Sequence, residues 1–376
     1  MLGSRTRIII LFKRIDRNTK DGDIVAVRAL VLAEGAFGSA GGKTANGLVR
    51  YSRRFQIVGV IDSTKAGRDA GEVLDGVANG IPVVAGLTEG LTLGAEALIV
   101  GVATFGGYIP PEFRPVIEHA IERGLDVVAG LHEYLNDDPE FVALAAAYNV
   151  RLEDVRKPRP LQELLQFSDR SRHLPCLRLP VLGTDGAIGK RTTAILLTEA
   201  LNRAGVAATF VATGQTGILQ GAEYGVPIDA IKGDFMVGEL EGEIVRAYEE
   251  TKAQVIVVEG QGSISHPAYV CGTRAICMAA MPQAIVLQHA PARAVRRFRS
   301  EVVQWPMPKV EDEIRMLEVF SPGKVIAITL NHEEMTREQV DGAARECEAR
   351  YGLPTCDPLW HGVDKVVAAV RPRLTS

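Results

Sequence analysis

The run Leu177-Arg178-Leu179-Pro180-Val181-Leu182-Gly183-Thr184-Asp185-Gly186-Ala187-Ile188-Gly189-Lys190-Arg191-Thr192-Thr193 decides how this chain is read. Its first six residues form a strand-like run that feeds a glycine-rich loop. From Thr193 to Ala204 a helix is expected, with Ile195, Leu196, Leu197, Ala200 and Leu201 apolar and Gly205 as its stop. A strand, a glycine loop, then Lys and Thr opening a helix is what phosphate binding requires. Glycines let the backbone bend so that its N–H groups point inward. The helix start adds positive potential, Lys190 a full charge, and a threonine hydroxyl can ligate Mg²⁺. The expected phosphate contacts are Gly183, Thr184, Gly186, Gly189, Lys190, Arg191, Thr192 and Thr193. The loop departs from the strict Walker pattern. One extra residue separates Gly183 from Gly189, and Arg191 stands between Lys190 and the threonines.

Outward from this loop, strands are expected at 207–211, 254–258, 284–287 and 324–330, an open α/β order. Glu259 follows the second of them, at the carboxyl end where open α/β sheets bind ligands, and suits a base or a water-mediated Mg²⁺ contact. Gln261 and His266 lie just beyond. Thr213-Gly214-Gln215-Thr216-Gly217 follows another strand and brings flexible backbone and hydroxyls to the same crevice. Asn331 closes the strand at 325–330, either to read a purine edge or to cap a helix beginning near His332. Arg293, Arg296, Arg297 and Arg299 sit on a helix-like stretch after Pro291. They read as a solvated face, with arginine forks for a dicarboxylate or for CoA phosphates as the sharper alternative.

The N-terminal half has the same order. A strand pattern at 25–32 enters a second glycine loop, Glu34 to Thr44, and a strand at 57–61 ends at Asp62. Further apolar runs at 81–85, 97–102 and 125–129, with a helix at 111–123, predict a parallel sheet covered on both faces. Gly35, Gly38 and Gly41 are not in dinucleotide-fingerprint spacing, so NAD is a weak reading. Lys43 and Thr44 suit a carboxylate or phosphate instead. With Gly101–Gly107 and His132-Glu133 they suggest a first-domain pocket of backbone amides, one lysine and one imidazole. The fold class is thus α/β, two open parallel-sheet domains. A charged extension over 1–25 precedes a Rossmann-like domain over 26–157, a linker over 158–179 and a P-loop domain over 180–376.

Composition bounds the function. The chain has 376 residues, with 42 Lys and Arg against 46 Asp and Glu, a net charge of −4, which does not suggest a nucleic-acid-binding surface. No apolar run approaches the ~20 residues that cross a bilayer. The 5 cysteines have no C-x-x-C pairing and read as reduced thiols of a cytoplasmic protein, with no metal cage.

Gly183-Thr184-Asp185 with Gly189-Lys190, Val258-Glu259-Gly260 and Asn331 resemble the corresponding parts of dethiobiotin synthetase. The wider set is similar to the DUF1611 family: Lys43-Thr44-Ala45, residues 58–63, Gly130-Leu131-His132-Glu133, Asp154-Val155-Arg156-Lys157-Pro158, Gly214-Gln215-Thr216-Gly217, Gly233-Asp234-Phe235, residues 259–263 and His266-Pro267-Ala268-Tyr269. These stretches lie between about residues 28 and 300, and residues 1–25 fall outside them. The family pairs a Rossmann-like domain with a P-loop domain and includes D-glutamate N-acetyltransferases.

The resemblance implies acetyl transfer from acetyl-CoA to an acidic amino acid, with the loop holding CoA phosphates. Lys43, Glu259 and Asp185 are its catalytic candidates, and Thr44, His132, Gln215 and Gln261 its substrate contacts. Glu259, Asp185 and His132 all remain open as the base. The alternatives are an ATP- and Mg²⁺-dependent ligase or kinase of the dethiobiotin synthetase type, or a non-catalytic nucleotide or CoA sensor. A homo-oligomer is expected, without nucleic-acid or membrane partners.

Overall fold

The computed structural model describes residues 19–20, 23–24, 26–296 and 303–374. Most of the charged extension, and Arg297 and Arg299, lie outside them. Two short strands, β1 (Thr19–Lys20) and β2 (Asp23–Ile24), pair antiparallel. The rest builds two parallel sheets, each in its own unit.

The first unit holds a sheet of order β5-β4-β3-β6-β7-β8, from β3 (Val27–Leu32), β4 (Phe55–Ile61), β5 (Val83–Val84), β6 (Ala97–Val100), β7 (Asp126–Ala129) and β8 (Leu152–Asp154). Its central strands are buried along their length, which is why they read as unbroken apolar runs. The chain leaves β3 for β4 on one side and returns to β6 on the other, so the strand order reverses beside β3. The glycine loop after β3 lies at that reversal and leads into α1 (Lys43–Tyr51). Asp62 is fully buried and fastens this loop, accepting the Phe37 amide at 3.1 Å. Burial would raise its pKa, but hydrogen bonds from Thr64, Lys65 and the amides of Gly35 and Phe37 hold it below the ordinary carboxylate value. A carboxylate so engaged does not read a ribose.

The second unit takes residues 154–376 together with Phe105–Tyr108 and Gly130–Tyr134. Its sheet has the order β11-β10-β12-β9-β13-β14-β15. The strands are β9 (Leu177–Gly183), β10 (Ala208–Ala212), β11 (Tyr224–Gly225), β12 (Val255–Glu259), β13 (Ala284–His289), β14 (Lys324–Leu330) and β15 (Thr355–Cys356). Residues of β9 and β12 such as Leu179, Val181, Val255 and Val257 are fully buried against helix α6 (Lys190–Arg203). Each such side chain is worth roughly 1.5–3 kcal/mol of apolar burial. Strand β12 inserts between β9 and β10, so the loops after all three converge at one sheet edge.

Segment 158–179 is fastened to helix α8 (Gly233–Thr251) by two carboxylates that point into the protein. Glu239 accepts Arg159 at 2.5 Å and the Leu165 amide at 2.7 Å, while Glu241 accepts the amide and hydroxyl of Ser168 at 2.7 and 2.8 Å. Gly238 allows the approach, since a Cβ there would lie 2.2 Å from the Leu165 carbonyl oxygen. No helix among the described residues is long and apolar enough to cross a membrane.

Candidate functional site

The glycine loop runs from the end of β9 into α6, whose first residue is Lys190. It contains two left-handed residues, Ala187 (φ 51°) and Gly189 (φ 98°). Ala187 is strained there, as an L-residue in this region is, and the strain marks a tightly fixed turn. Lys190 is 6% exposed, and its stem passes between two glycines. A Cβ on Gly183 would lie 3.0 Å from Lys190 Cδ, and one on Gly260 2.9 Å from it and 2.0 Å from the Val181 carbonyl oxygen. Both positions must be glycine for the lysine to reach along the loop. Its Nζ donates to the Asp185 carbonyl.

The hydroxyls divide unevenly. Thr193 donates to Gln288 Oε1 at 2.5 Å, and Gln288 also receives Thr329 at 2.6 Å. Thr184 shares a 3.0 Å hydrogen bond with His289 Nδ1, whose ring burial pushes down to about 4. The residue directly after the lysine, where the strict pattern supplies a metal-binding hydroxyl, is the cation Arg191.

Asp185 is buried and engaged from two sides. Arg293 donates to it at 2.7 Å, and His266 Nε2 lies 3.4 Å from its other oxygen. The amides of Ala268 and Tyr269 donate to His266 Nδ1 at 3.1 Å each, so Nε2 carries the proton and faces the carboxylate. The arginines require a correction. Residues 291–296 form a turn and a bridge, not a helix, and Arg293 and Arg296 are 7% and 1% exposed, not solvated. The cause is local charge and hydrogen bonding. Arg293 bridges Asp185 and Glu333, and Arg296 donates to the hydroxyls of Ser263 and Ser265, both at 2.6 Å. The Asn331 readings are corrected too. Its amide donates to the Ile188 carbonyl of the glycine loop at 3.0 Å and its oxygen accepts the Glu333 amide at 2.8 Å in its own turn, so both ends are engaged within the protein. The next helix, α11 (Arg337–Tyr351), is capped by Thr336.

Glu259 ends β12 in a buried position, 7% exposed. Burial pushes its carboxyl above the ordinary value, opposed by Arg191, the amides of Thr213 and Gly214, and Lys190. One of its oxygens accepts the Thr213 amide at 3.0 Å, and Gln261 reaches back to the Thr213 carbonyl at 2.7 Å. The loops after β9, β10 and β12 thus meet around one carboxylate and two cations.

Beside this centre lies a cluster in which sequence reading assigns Arg156 and Asp229 no role. Arg156, 7% exposed, donates to the Gly130 carbonyl at 2.6 Å, to Gln215 Oε1 at 2.8 Å and to Asp229 at 2.7 Å. His132 Nε2 is 3.9 Å from Asp229. Burial and Arg156 lower its pKa against the pull of Asp229, so the imidazole is neutral at neutral pH. Of the expected substrate contacts, the structure brings His132 and Gln215 together here, with Gln261 next to Glu259. The single first-domain pocket is corrected, because His132 and Phe105–Tyr108 belong to the second unit. Lys43 is exposed at the start of α1 in the first unit, and Thr44 behind it is 1% exposed, turned into that unit's interior.

Residues 166–367 match the family described as a domain of unknown function, the DUF1611 P-loop domain, and residues 63–158 match its Rossmann-like N-terminal domain. A D-glutamate N-acetyltransferase of Tritonibacter scottomollicae is 34% identical over 292 residues, 76% of this chain and 84% of that protein. A protein of the same name from a Pseudoalteromonas species is 33% identical over 77% of this chain and 87% of its own length. The crystal structure of a DUF1611 family protein from Anabaena variabilis superposes with a TM-score of 0.85 at 31% identity, covering 92% of this chain and 99% of that one.

Proposed function

We propose that this chain, which belongs to the DUF1611 family, is an N-acetyltransferase that moves the acetyl group of acetyl-CoA to the amine of D-glutamate. The carrying observation is that two relatives bearing that activity in their names match over three quarters of the chain, across both units. The phosphate loop supports the reading. CoA presents a diphosphate and a further phosphate, which amides, Lys190 and Arg191 suit without a metal between them. Arg191 takes the place of the hydroxyl that a Mg-ATP enzyme uses, and the nearby Thr193 hydroxyl is engaged by Gln288. Both features favour transfer over phosphoryl chemistry.

In this reading the amine nitrogen attacks the thioester carbonyl carbon and the carbon–sulfur bond breaks. The leaving thiolate takes up a proton, and the amine loses one to a base. Glu259 is the base this geometry supports best. Its raised pKa makes it a stronger acceptor than an ordinary carboxylate, while Asp185 is held in its ion pair with Arg293. Neutral His132 is the second candidate.

The test is to incubate the protein with acetyl-CoA and D- or L-glutamate, without metal or ATP, and to follow free thiol. Release dependent on D-glutamate is expected. No release, with ADP formed instead from Mg-ATP and a carboxylate or amine substrate, would overturn the reading.

A further inference from the structure

We infer that the side-chain amide of Gln215 receives one oxygen of a ligand carboxylate, and that Arg156 is the positioning residue that turns it to that task. Gln215 is 5% exposed. Its Oε1 accepts Arg156 Nη2 at 2.8 Å. A guanidinium has donors only, so the reversed amide would set N–H against N–H, and the orientation is fixed. Arg156 in turn is held by Asp229, at 2.7 and 3.3 Å, and by the Gly130 carbonyl at 2.6 Å, which keeps the fork in place.

The consequence falls on Nε2. It is directed away from Arg156, is buried, and has no hydrogen-bond acceptor among the described residues. A buried donor left unmade costs about 1–3 kcal/mol, so a fold that fixes one so firmly is explained when a ligand oxygen completes the bond. The guanidinium behind the amide polarises its N–H further, which favours an anionic oxygen over a neutral one.

Gln215 sits beside the carboxylate that ends β12. Gly214, next to Gln215, lies against Glu259 and Gln261, where a Cβ would be 3.9 Å from a Glu259 oxygen. His132, near Asp229, adds a neutral imidazole. The Gly107 carbonyl accepts the His132 amide at 2.9 Å, in a loop that exposes Phe105 and Tyr108. Where the proposed acetyl transfer holds, the ligand is the acidic amino acid and the Gln215 amide grips one of its carboxylates. That identification rests on the proposed function, whereas the carboxylate site does not.

Calorimetric titration of the full chain with D-glutamate and with glutarate, in the absence of acetyl-CoA, tests this. Two variants are informative together: Gln215→Glu keeps an oxygen for Arg156 but exchanges Nε2 for a second, negatively charged oxygen, and Gln215→Met removes Nε2 without adding charge. Both ligands are expected to bind the unaltered protein and to bind Gln215→Glu at least tenfold more weakly, with no loss of thermal stability. Nε2 makes no bond within the protein, so a purely structural role predicts that the neutral Gln215→Met binds both ligands as the parent does, and equal dissociation constants there would overturn the inference. So would failure of the unaltered protein to bind either ligand. Binding of glutarate alone, weakened in the variants, would support the carboxylate site and overturn the amino-acid acceptor. Arg156→Lys, which removes the fork, is expected to weaken carboxylate binding as well, and undiminished binding would remove its positioning role.

Discussion

Replacing Glu259 with glutamine tests the chemistry and the electrostatics of the site together. In the folded protein burial raises this carboxyl's pKa, while in the unfolded chain it titrates near 4.5. The folded state therefore holds the proton more tightly. Stability declines as pH rises from the unfolded value through the folded one, and a constant deficit remains above both. A neutral amide carries no such deficit. Against that gain, the NH₂ group cannot accept from the backbone amides that now donate to the carboxylate, such as that of Thr213 at 3.0 Å. One lost bond costs about 0.5–1.5 kcal/mol. The two effects oppose each other, so the melting temperature at pH 7.5 is expected to stay within a few degrees of the parent's.

Activity behaves differently. Loss of a positioned general base costs about 10²–10⁴-fold, or roughly 3–5 kcal/mol of barrier. Thiol-release kinetics from pH 5 to 9 should show kcat/KM falling by that factor. They should also lose the acid limb, whose inflection in the parent lies above the ordinary carboxylate value. A variant retaining more than a tenth of parental activity would refute the base assignment. Loss of stability and activity in proportion would make Glu259 a structural residue.

Lys190→Ala should weaken CoA binding at least a hundredfold in titration calorimetry while the fold survives. An unchanged dissociation constant would remove the phosphate-loop role. Gly238→Ala would set a methyl 2.2 Å from the Leu165 carbonyl oxygen and lift the segment from Glu239 and Glu241. A loss of about 1–3 kcal/mol is expected in urea unfolding, and an unchanged stability would mean that the segment moves aside freely. His289 is kept neutral by burial down to about pH 4. Because its folded pKa is depressed, its contribution is fully present above the unfolded value near 6.5. It is lost as pH falls toward 4, with a slope of at most about 1.4 kcal/mol per pH unit. His289→Asn should flatten the acid side of the stability profile, and an unaltered profile would refute the assignment.

The fold was largely legible because both sheets are parallel and their strands are apolar along their length. Strand β14 falls at Lys324–Leu330, where the apolar run places it. Helix α6 begins at Lys190, three residues before the expected start at Thr193, because Lys190-Arg191-Thr192 has no apolar periodicity to show it. The glycine loop after β9 and the placement of Glu259 at the end of β12 were visible as strand-end punctuation. The Arg156–Asp229 pair was not, since its members are 73 residues apart, Arg156 stood in a family stretch with no role attached to it, and Asp229 stood in none. The burial of Arg293 and Arg296 was equally hidden. A cluster of arginines signals solvent unless its partners are known, and Asp185, Glu333, Ser263 and Ser265 are supplied by distant loops.

Residues Gly130–Tyr134 leave the first sheet at the end of β7 and belong to the second unit, where the Gly130 carbonyl holds Arg156, before the chain returns to complete the first unit. The border between the units is therefore crossed several times by the backbone, and no single cut in the gene separates them. A fragment starting after residue 158 would carry Gln215 and Asp229 but lack the arginine, the carbonyl and the imidazole that surround them. Chimaeras joined near residue 160 are expected to work only when both parents agree at positions 130–134, 156, 215 and 229.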